Sequence, residues 1–318
     1  MKLPPADKSK ALFILNPYAG TPPVKMIINR QLQRRRDELA CYKSLSVDES
    51  GSLIKQNLDK YDIFVAAGGD GTVHSVASQL AGTVKILAVL PTGSGNGFAR
   101  ELGFRPNLKN LITDINKKEF VNIDVIDIND NLCLNVAGVG LDSIVAHSFD
   151  KFGTRGFWSY AIIAMISFFR LKPIRVKLLC QDDILFDDDV FVLTVANTRQ
   201  FGYRAYIAPD ASPNDGLLSI AILKPFPKIL FPMFLLMLFT KRLNSSKYFM
   251  HLKTDRNVVI KTDEKRFHID GEPVLMPEDI SVRIKKNALR ILKTRYYRQY
   301  GSHSQKEFDN QNINNQEP

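Results

Sequence analysis

Short apolar runs at residues 11–15, 39–47, 62–67 and 85–90 each end close to turn-forming residues, and amphipathic stretches separate them near 24–38, near 52–60 and after Thr72. Strand-length apolar runs alternating with helical periodicity predict a layered α/β domain on a mostly parallel sheet. Beyond about residue 120 the rhythm changes. Extended segments follow one another at 121–128, 132–139, 174–179, 191–196, 217–223, 258–262, 266–269 and 280–284, a density that predicts an antiparallel sandwich. The expected organisation is an α/β N-terminal domain over 1–120 and a β-rich antiparallel sandwich over 121–300, whose last strand is free to return to the first domain. Residues 301–318 then form a disordered tail, because their Asn, Gln, Ser and charge cannot bury enough surface to order themselves.

Two apolar stretches, 157–171 and 229–239, interrupt the strands as helix candidates. Both fall short of the ~20 residues a membrane span requires, and Pro232 is expected to disturb the second. That second stretch lies between Lys224 and Lys228 on one side and Lys241 and Arg242 on the other. Such a layout suits an anionic membrane interface, and suits equally a helix buried over the sandwich. The first stretch, with Trp158 and Tyr160 near its start, has the same two readings.

Composition narrows the class. With 45% hydrophobic and 24% charged residues in 318, the chain is not disordered, collagen-like or disulfide-stapled. Lys and Arg outnumber Asp and Glu by 43 to 33, which attracts anionic partners, but the surplus is spread along the chain with no nucleic-acid motif, so nucleic acid is not an expected partner. Cys41, Cys133 and Cys180 are far apart and show neither zinc-ligand spacing nor a disulfide framework. The prolines and charges of the first residues interrupt the apolar run a secretion signal needs. A cytoplasmic location with peripheral membrane association is expected.

The chemistry lies in the glycines. Residues 63–72, IFVAAGGDGT, read as a strand entering a glycine turn and then a helix. Glycines let backbone N–H groups approach a phosphate, and a helix N-terminus adds partial positive charge. Asp70 there can cap the helix or accept a proton. The next run ends in PTGSGNG (91–97) and an earlier one in NPYAG (16–20), so three donor-rich loops would share the carboxyl edge of one sheet, where open α/β sheets bind ligands. Neither G-x-x-x-x-G-K-[ST] nor G-x-G-x-x-G occurs, which excludes P-loop and Rossmann dinucleotide fingerprints.

In this order, NPYAG, GGDGTVHSVASQL and PTGSGNGFAR, followed by NDGLLSIAIL and IDGEPV, closely resemble the diacylglycerol kinase catalytic-domain family, which includes sphingosine, ceramide and soluble bacterial lipid kinases. NAD kinases share the GGDGT motif, but their Asn-Glu motif after the glycine turn is not found. The resemblance spans residues 11 to about 292 and implies a two-domain fold of the NAD kinase/diacylglycerol kinase type. It also implies transfer of the ATP γ-phosphoryl group to a lipid hydroxyl with Mg²⁺. Nucleotide-binding positions carried over are Asn16, Pro17, Gly20, Gly68, Gly69, Asp70, Gly71, Thr72, Gly93, Ser94, Asn96, Asp270 and Gly271, with Ser46 where the family often has a nucleotide-contacting threonine. Asp215 and the Leu217 carbonyl match a magnesium-supporting turn, although Asn-Asp-Gly is also an ordinary hairpin turn. Asp70 and Glu272 are alternative catalytic bases, and Asp270-Gly271 could be a turn and no more.

On the acceptor side, Asp142 matches the aspartate that meets the polar head of the lipid in sphingosine kinases, where a carboxylate suits an ammonium; it could equally cap the helix that follows. Together with the Gly93–Asn96 loop this favours a sphingoid long-chain base as acceptor, with diacylglycerol as the alternative. The expected partners are a lipid substrate and an anionic membrane surface, and a homodimer is compatible with the sequence. The rival reading is a catalytically silent lipid- or nucleotide-binding protein of the same fold. His74 and His268, without metal-ligand spacing, read as structural histidines.

Overall fold

The computed structural model describes residues 11–297 except 18–21, 36, 37, 45, 94, 153–156 and 182. Gly20, Ser94 and the tail therefore lie outside the described residues, as do the side chains of Trp158 and Tyr160. The chain begins with β1 (Ala11–Leu15), α1 (Pro22–Gln33), β2 (Ala40–Lys43), α2 (Val47–Asn57), β3 (Ile63–Gly68), α3 (Asp70–Leu80), β4 (Ile86–Pro91), α4 (Gly97–Glu101) and α5 (Leu108–Lys117). Strands β2, β1, β3 and β4 lie side by side and parallel. All six residues of β3 and of β4 are buried, as continuous apolar strands covered on both faces must be.

The second half contains β5 (Phe120–Ile128), β6 (Asn131–Cys133), β7 (Val136–Gly140), α6 (Leu141–Phe152), α7 (Phe157–Arg170), β8 (Ile174–Cys180), β9 (Asp183–Val190), β10 (Val192–Ala196), β11 (Leu218–Leu223), α8 (Phe231–Thr240), β12 (Phe249–Thr254), β13 (Val258–Lys261), β14 (Arg266–Ile269), β15 (Glu272–Leu275) and β16 (Asp279–Leu292). One sheet runs β12-β11-β10-β7-β14-β15. The other is continuous with the parallel sheet through the 14-residue β16. β16 pairs antiparallel with β13 and β5, and its end pairs parallel with β4, Arg290 opposite Ile86 and Ile291 opposite Leu87. Side chains of the two sheets, among them Ile126, Val139, Leu178, Ile220, Ile260 and Phe267, fill the sandwich core.

Several boundaries depart from the sequence pattern. The 39–47 run is strand only over Ala40–Lys43, because Ser46 caps α2, its side chain accepting the Glu49 N–H at 3.1 Å; an S-x-x-E start of this kind ends the strand. Pro232 does not disturb α8: it sits in the first turn, where a missing N–H costs nothing. β9, DILFDDDV, buries only Phe186 and Val190 among exposed acids, so its composition hides an edge strand held by pairing with β8.

The halves meet through α4. Glu101 accepts Gln200 Nε2 at 2.6 Å and pairs with Arg199. At Gly97 a Cβ would stand 2.8 Å from the Phe201 carbonyl oxygen, so only glycine allows this approach.

Candidate functional site

The parallel strands deliver three loops to one edge. The Asn16 N–H donates to Ala67 O at 3.1 Å and the Thr92 N–H to Gly68 O at 2.9 Å, and Asn16 Nδ2 donates to Thr72 Oγ1 at 3.2 Å. The two glycine loops touch: a Cβ on Gly93 would lie 2.8 Å from Gly69 Cα, and one on Gly68 would lie 2.3 Å from Thr72 Oγ1. Asn96, in the left-handed region at φ 48, folds its amide back to Gly93 O at 2.5 Å. No side chain caps α3 at Gly69, which leaves its positive end facing the cleft.

Asp70 opens α3 and faces across this cleft. Its Oδ2 accepts the Asn96 N–H at 2.8 Å. Burial is the main influence on it and outweighs that hydrogen bond, and with the nearby Asp270 carboxylate it lifts Asp70 from 3.8 to about 6. A cavity of about 30 Å³, lined by Asp70, Asp270, Asn135, Val73, Phe98 and Phe201 among others, has room for about one or two waters.

The β14–β15 connection comes over the cleft from the second half. Ile269 pairs with Glu272, and the two residues between them, Asp270 at φ 54 and Gly271 at φ 89, form the tight hairpin that needs positive φ at both positions. Gly271 has nothing within 4 Å of where a Cβ would be, so conformation alone calls for glycine there. The Asp270 carboxylate accepts the N–H groups of Leu134 at 3.0 Å and Asn135 at 2.8 Å, the Cys133 thiol at 3.3 Å, and His74 Nδ1 at 2.9 Å. Through these bonds Asp270, a residue expected at the nucleotide, clasps α3 to the sandwich. Burial pulls His74 down, but the hydrogen bond and charge of Asp270, with Glu272 nearby, outweigh it and leave His74 raised above 6.5. Glu272 is exposed, with a carboxylate oxygen 3.6 Å from where a Gly71 Cβ would be. Asp70 and Glu272 therefore both border the start of α3.

Asp142 is not brought to this cleft. Its side chain is 3% exposed, and it accepts the Ser143 N–H at 2.8 Å, the Thr194 hydroxyl at 2.8 Å and His268 Nε2 at 3.1 Å. A Cβ on Gly138 would lie 2.7 Å from Asp142 Oδ2, so the glycine of this motif makes room for the buried carboxylate. Asp142 is a core hydrogen-bonding group, tied to Ser143, Thr194 and His268. Asp215 and Leu217 lie at the entry to β11, where Asp215 faces Lys253. Ser46 is exposed and occupied as a helix cap.

His74, Asn135 and Glu101 were not among the sequence candidates. For His74 the signal was its i, i+4 spacing from Asp70, which puts both on one face of α3. Asn135 and Glu101 act across contacts of 65 and 99 residues, which local pattern does not carry.

The family model of the diacylglycerol kinase catalytic domain matches residues 10–128, and that of the YegS C-terminal NAD kinase beta sandwich-like domain matches 135–293. A protein named "Diacylglycerol kinase" from Bacillus subtilis is 27% identical over 83% of this chain and 89% of its own length. A "Probable lipid kinase YegS-like" from Pectobacterium atrosepticum is 30% identical over 68% of this chain and 73% of its own. Among solved structures, a diacylglycerol kinase from Bacillus anthracis str. Sterne superposes with a TM-score of 0.69 at 20% identity, covering 91% of this chain and 98% of that one. An NAD kinase from Archaeoglobus fulgidus in complex with ATP gives 0.51 at 16% identity, covering 90% and 94%; both likenesses concern the fold. With its two halves matched in tandem, the chain belongs to the diacylglycerol kinase/YegS family and is a lipid kinase, which implies ATP as phosphoryl donor and a lipid as acceptor.

Proposed function

We propose that this enzyme transfers the γ-phosphoryl group of ATP to the hydroxyl of a neutral acyl lipid, with diacylglycerol as the representative acceptor and Asp70 as the base. The observation that carries this reading is the Asp70 carboxylate, raised to about 6 at the N-terminus of α3 between two touching glycine loops. A base serves best when its pKa lies near the working pH. The loop N–H groups, with Asn16 and Thr72, cradle the phosphates; Asp70 takes the proton as the lipid oxygen bonds to the γ-phosphorus and the bond to the ADP oxygen breaks. Phosphoryl transfer depends mainly on such positioning and charge. Among the described residues no three His, Cys, Asp or Glu side chains are grouped to hold a metal. A Mg²⁺ ion bound with the nucleotide would find oxygen ligands of the kind it prefers in Asp70 or Glu272. Its chemistry there is neutralisation of phosphate charge.

The acceptor follows from Asp142. A carboxylate suits the ammonium of a sphingoid base, and the burial of Asp142 among three donors supports an acceptor without one. The membrane approach is supported by α7 and α8. α8 buries Phe231 and Phe234 and packs Met237 and Leu238 against the same apolar cluster, while Leu236 is 64% exposed and the preceding Ile229 85%. On α7, Ile162, Met165, Ile166 and Phe169 are exposed as well, and Lys228 Nζ joins the two helices by donating to Phe169 O at 2.6 Å. With Lys224, Lys241 and Arg242 alongside, this apolar face suits an anionic bilayer.

The test is one reaction series with radiolabelled ATP and diacylglycerol, ceramide, sphingosine and dihydrosphingosine as competing acceptors in mixed micelles. Labelled phosphatidic acid should dominate, and Asp70→Ala should abolish it. Predominant label in a sphingoid phosphate would overturn the acceptor assignment, and undiminished turnover in Asp70→Ala would remove Asp70 as the base.

A further inference from the structure

The turn entering β11 is where family resemblance puts a magnesium ion, and its side chains do not fit one. Asp124 on β5 and Asp215 bring two carboxylates there, and all four oxygens are engaged. Asp124 Oδ2 accepts the Gly216 N–H at 2.7 Å and Oδ1 the Asn287 N–H at 2.7 Å, from the bulge of β16. Asp215 Oδ1 accepts the Leu217 N–H at 3.1 Å, and Oδ2 faces Lys253 Nζ at 3.0 Å. Lys253 projects from β12, and its side chain and that of Asp215 are 13% and 11% exposed. A second ammonium, Lys286, lies over the same turn, its Nζ 3.7 Å from where a Gly216 Cβ would be.

Mg²⁺ demands several oxygen ligands in near-octahedral array. A divalent ion at Asp215 would have to displace an ammonium already in contact and then sit beside it, against like charge in a poorly hydrated pocket. We propose that Lys253 is the resident cation of this turn: its ammonium supplies the positive charge that holds Asp215 to the start of β11, so the sandwich needs no metal of its own. Any divalent-ion requirement is then confined to the nucleotide. The ion pair spans β12 and the β11 turn, so it also ties the edge strand of the six-stranded sheet to the junction with β5 and β16.

The test uses the full-length protein without nucleotide or lipid, so its failure is separate from that of the kinase reading. Thermal unfolding is followed in EDTA and in millimolar Mg²⁺ or Ca²⁺, and Mn²⁺ binding by electron paramagnetic resonance. The wild-type midpoint should be the same in all three media, with no protein-bound Mn²⁺ signal. Lys253→Met should unfold at lower temperature in EDTA and regain part of the loss with Mg²⁺ or Ca²⁺, while Lys253→Arg should remain indifferent to metal. A wild-type midpoint that falls in EDTA, or a wild-type Mn²⁺ signal lost in Asp215→Asn, would overturn the proposal. If Lys253→Met does not fold, the wild-type and Asp215→Asn arms still decide it.

Discussion

Asp70 should cost the protein stability, and the cost is measurable. Its folded-state value of about 6 against an ordinary 3.8 means that ionising it in the folded protein is about 3 kcal/mol less favourable than in the unfolded chain. The sign follows from proton binding: between the two values the folded state holds the proton more tightly, so stability falls as pH rises through that window and stays reduced above it. Asp70→Asn keeps an oxygen to accept the Asn96 N–H and removes the charge. Because Asp70 retains some open surface, 3 kcal/mol is an upper bound. At pH 7.5 the variant should gain about 1–3 kcal/mol, a rise in Tm of about 2–5 °C for a chain this size, and at pH 4.5 only about a third of that gain should persist. Differential scanning fluorimetry at the two pH values, beside loss of phosphoryl transfer, reads both quantities. A variant no more stable than wild type at pH 7.5, or an equal gain at both pH values, would refute the burial argument and with it the poised base.

In the wild type, kcat/KM for lipid phosphorylation should fall about tenfold per pH unit below pH 6 as Asp70 takes up its proton; a profile flat to pH 5 would exclude it as the titrating base. Asp270→Ala, which strands the Leu134 and Asn135 N–H groups and releases His74, should lower stability by about 3 kcal/mol in denaturant unfolding. The His74 share of that clasp is fully present below pH 6.5 and is lost as pH rises through its higher folded value. The stability difference between wild type and His74→Gln should therefore shrink on going from pH 6 to pH 9, and a constant difference would contradict the ion pair. Ile229→Glu with Leu236→Glu should reduce co-sedimentation with anionic vesicles while leaving far-UV circular dichroism unchanged; undiminished sedimentation would place the membrane contact elsewhere.

The fold class was legible because buried parallel strands such as Ile63–Gly68 are unbroken apolar runs and the sandwich strands recur at short spacing. β9 was not legible, since an edge strand can satisfy four aspartates with solvent and with Arg175, Lys177 and Lys224, leaving little hydrophobic signal. The close approach of the glycine loops was legible because such backbone contact demands glycine. What the loops could not tell was how each carboxylate is spent. Asp142, Asp215 and Asp270 occupy similar Gly-rich contexts, yet one is enclosed by Thr194 and His268, one holds an ammonium, and one grips four donors. Those partners lie 52 to 196 residues away for Thr194 and His74, beyond the reach of local pattern. Motif resemblance transfers residue identity, and burial decides the role.

The path of β16 has a consequence for synthesis and for dissection. Until residues 279–292 emerge from the ribosome, β4 has an unpaired side, and the Arg290 guanidinium that bonds Val84 O across 206 residues is absent. A fragment stopping near residue 120 would expose an apolar strand edge, a recognised route to aggregation. Native pairing so distant along the chain also slows folding, so an intact C-terminal strand is a condition for a soluble product, and a truncation meant to isolate the nucleotide half would need a surrogate for that strand.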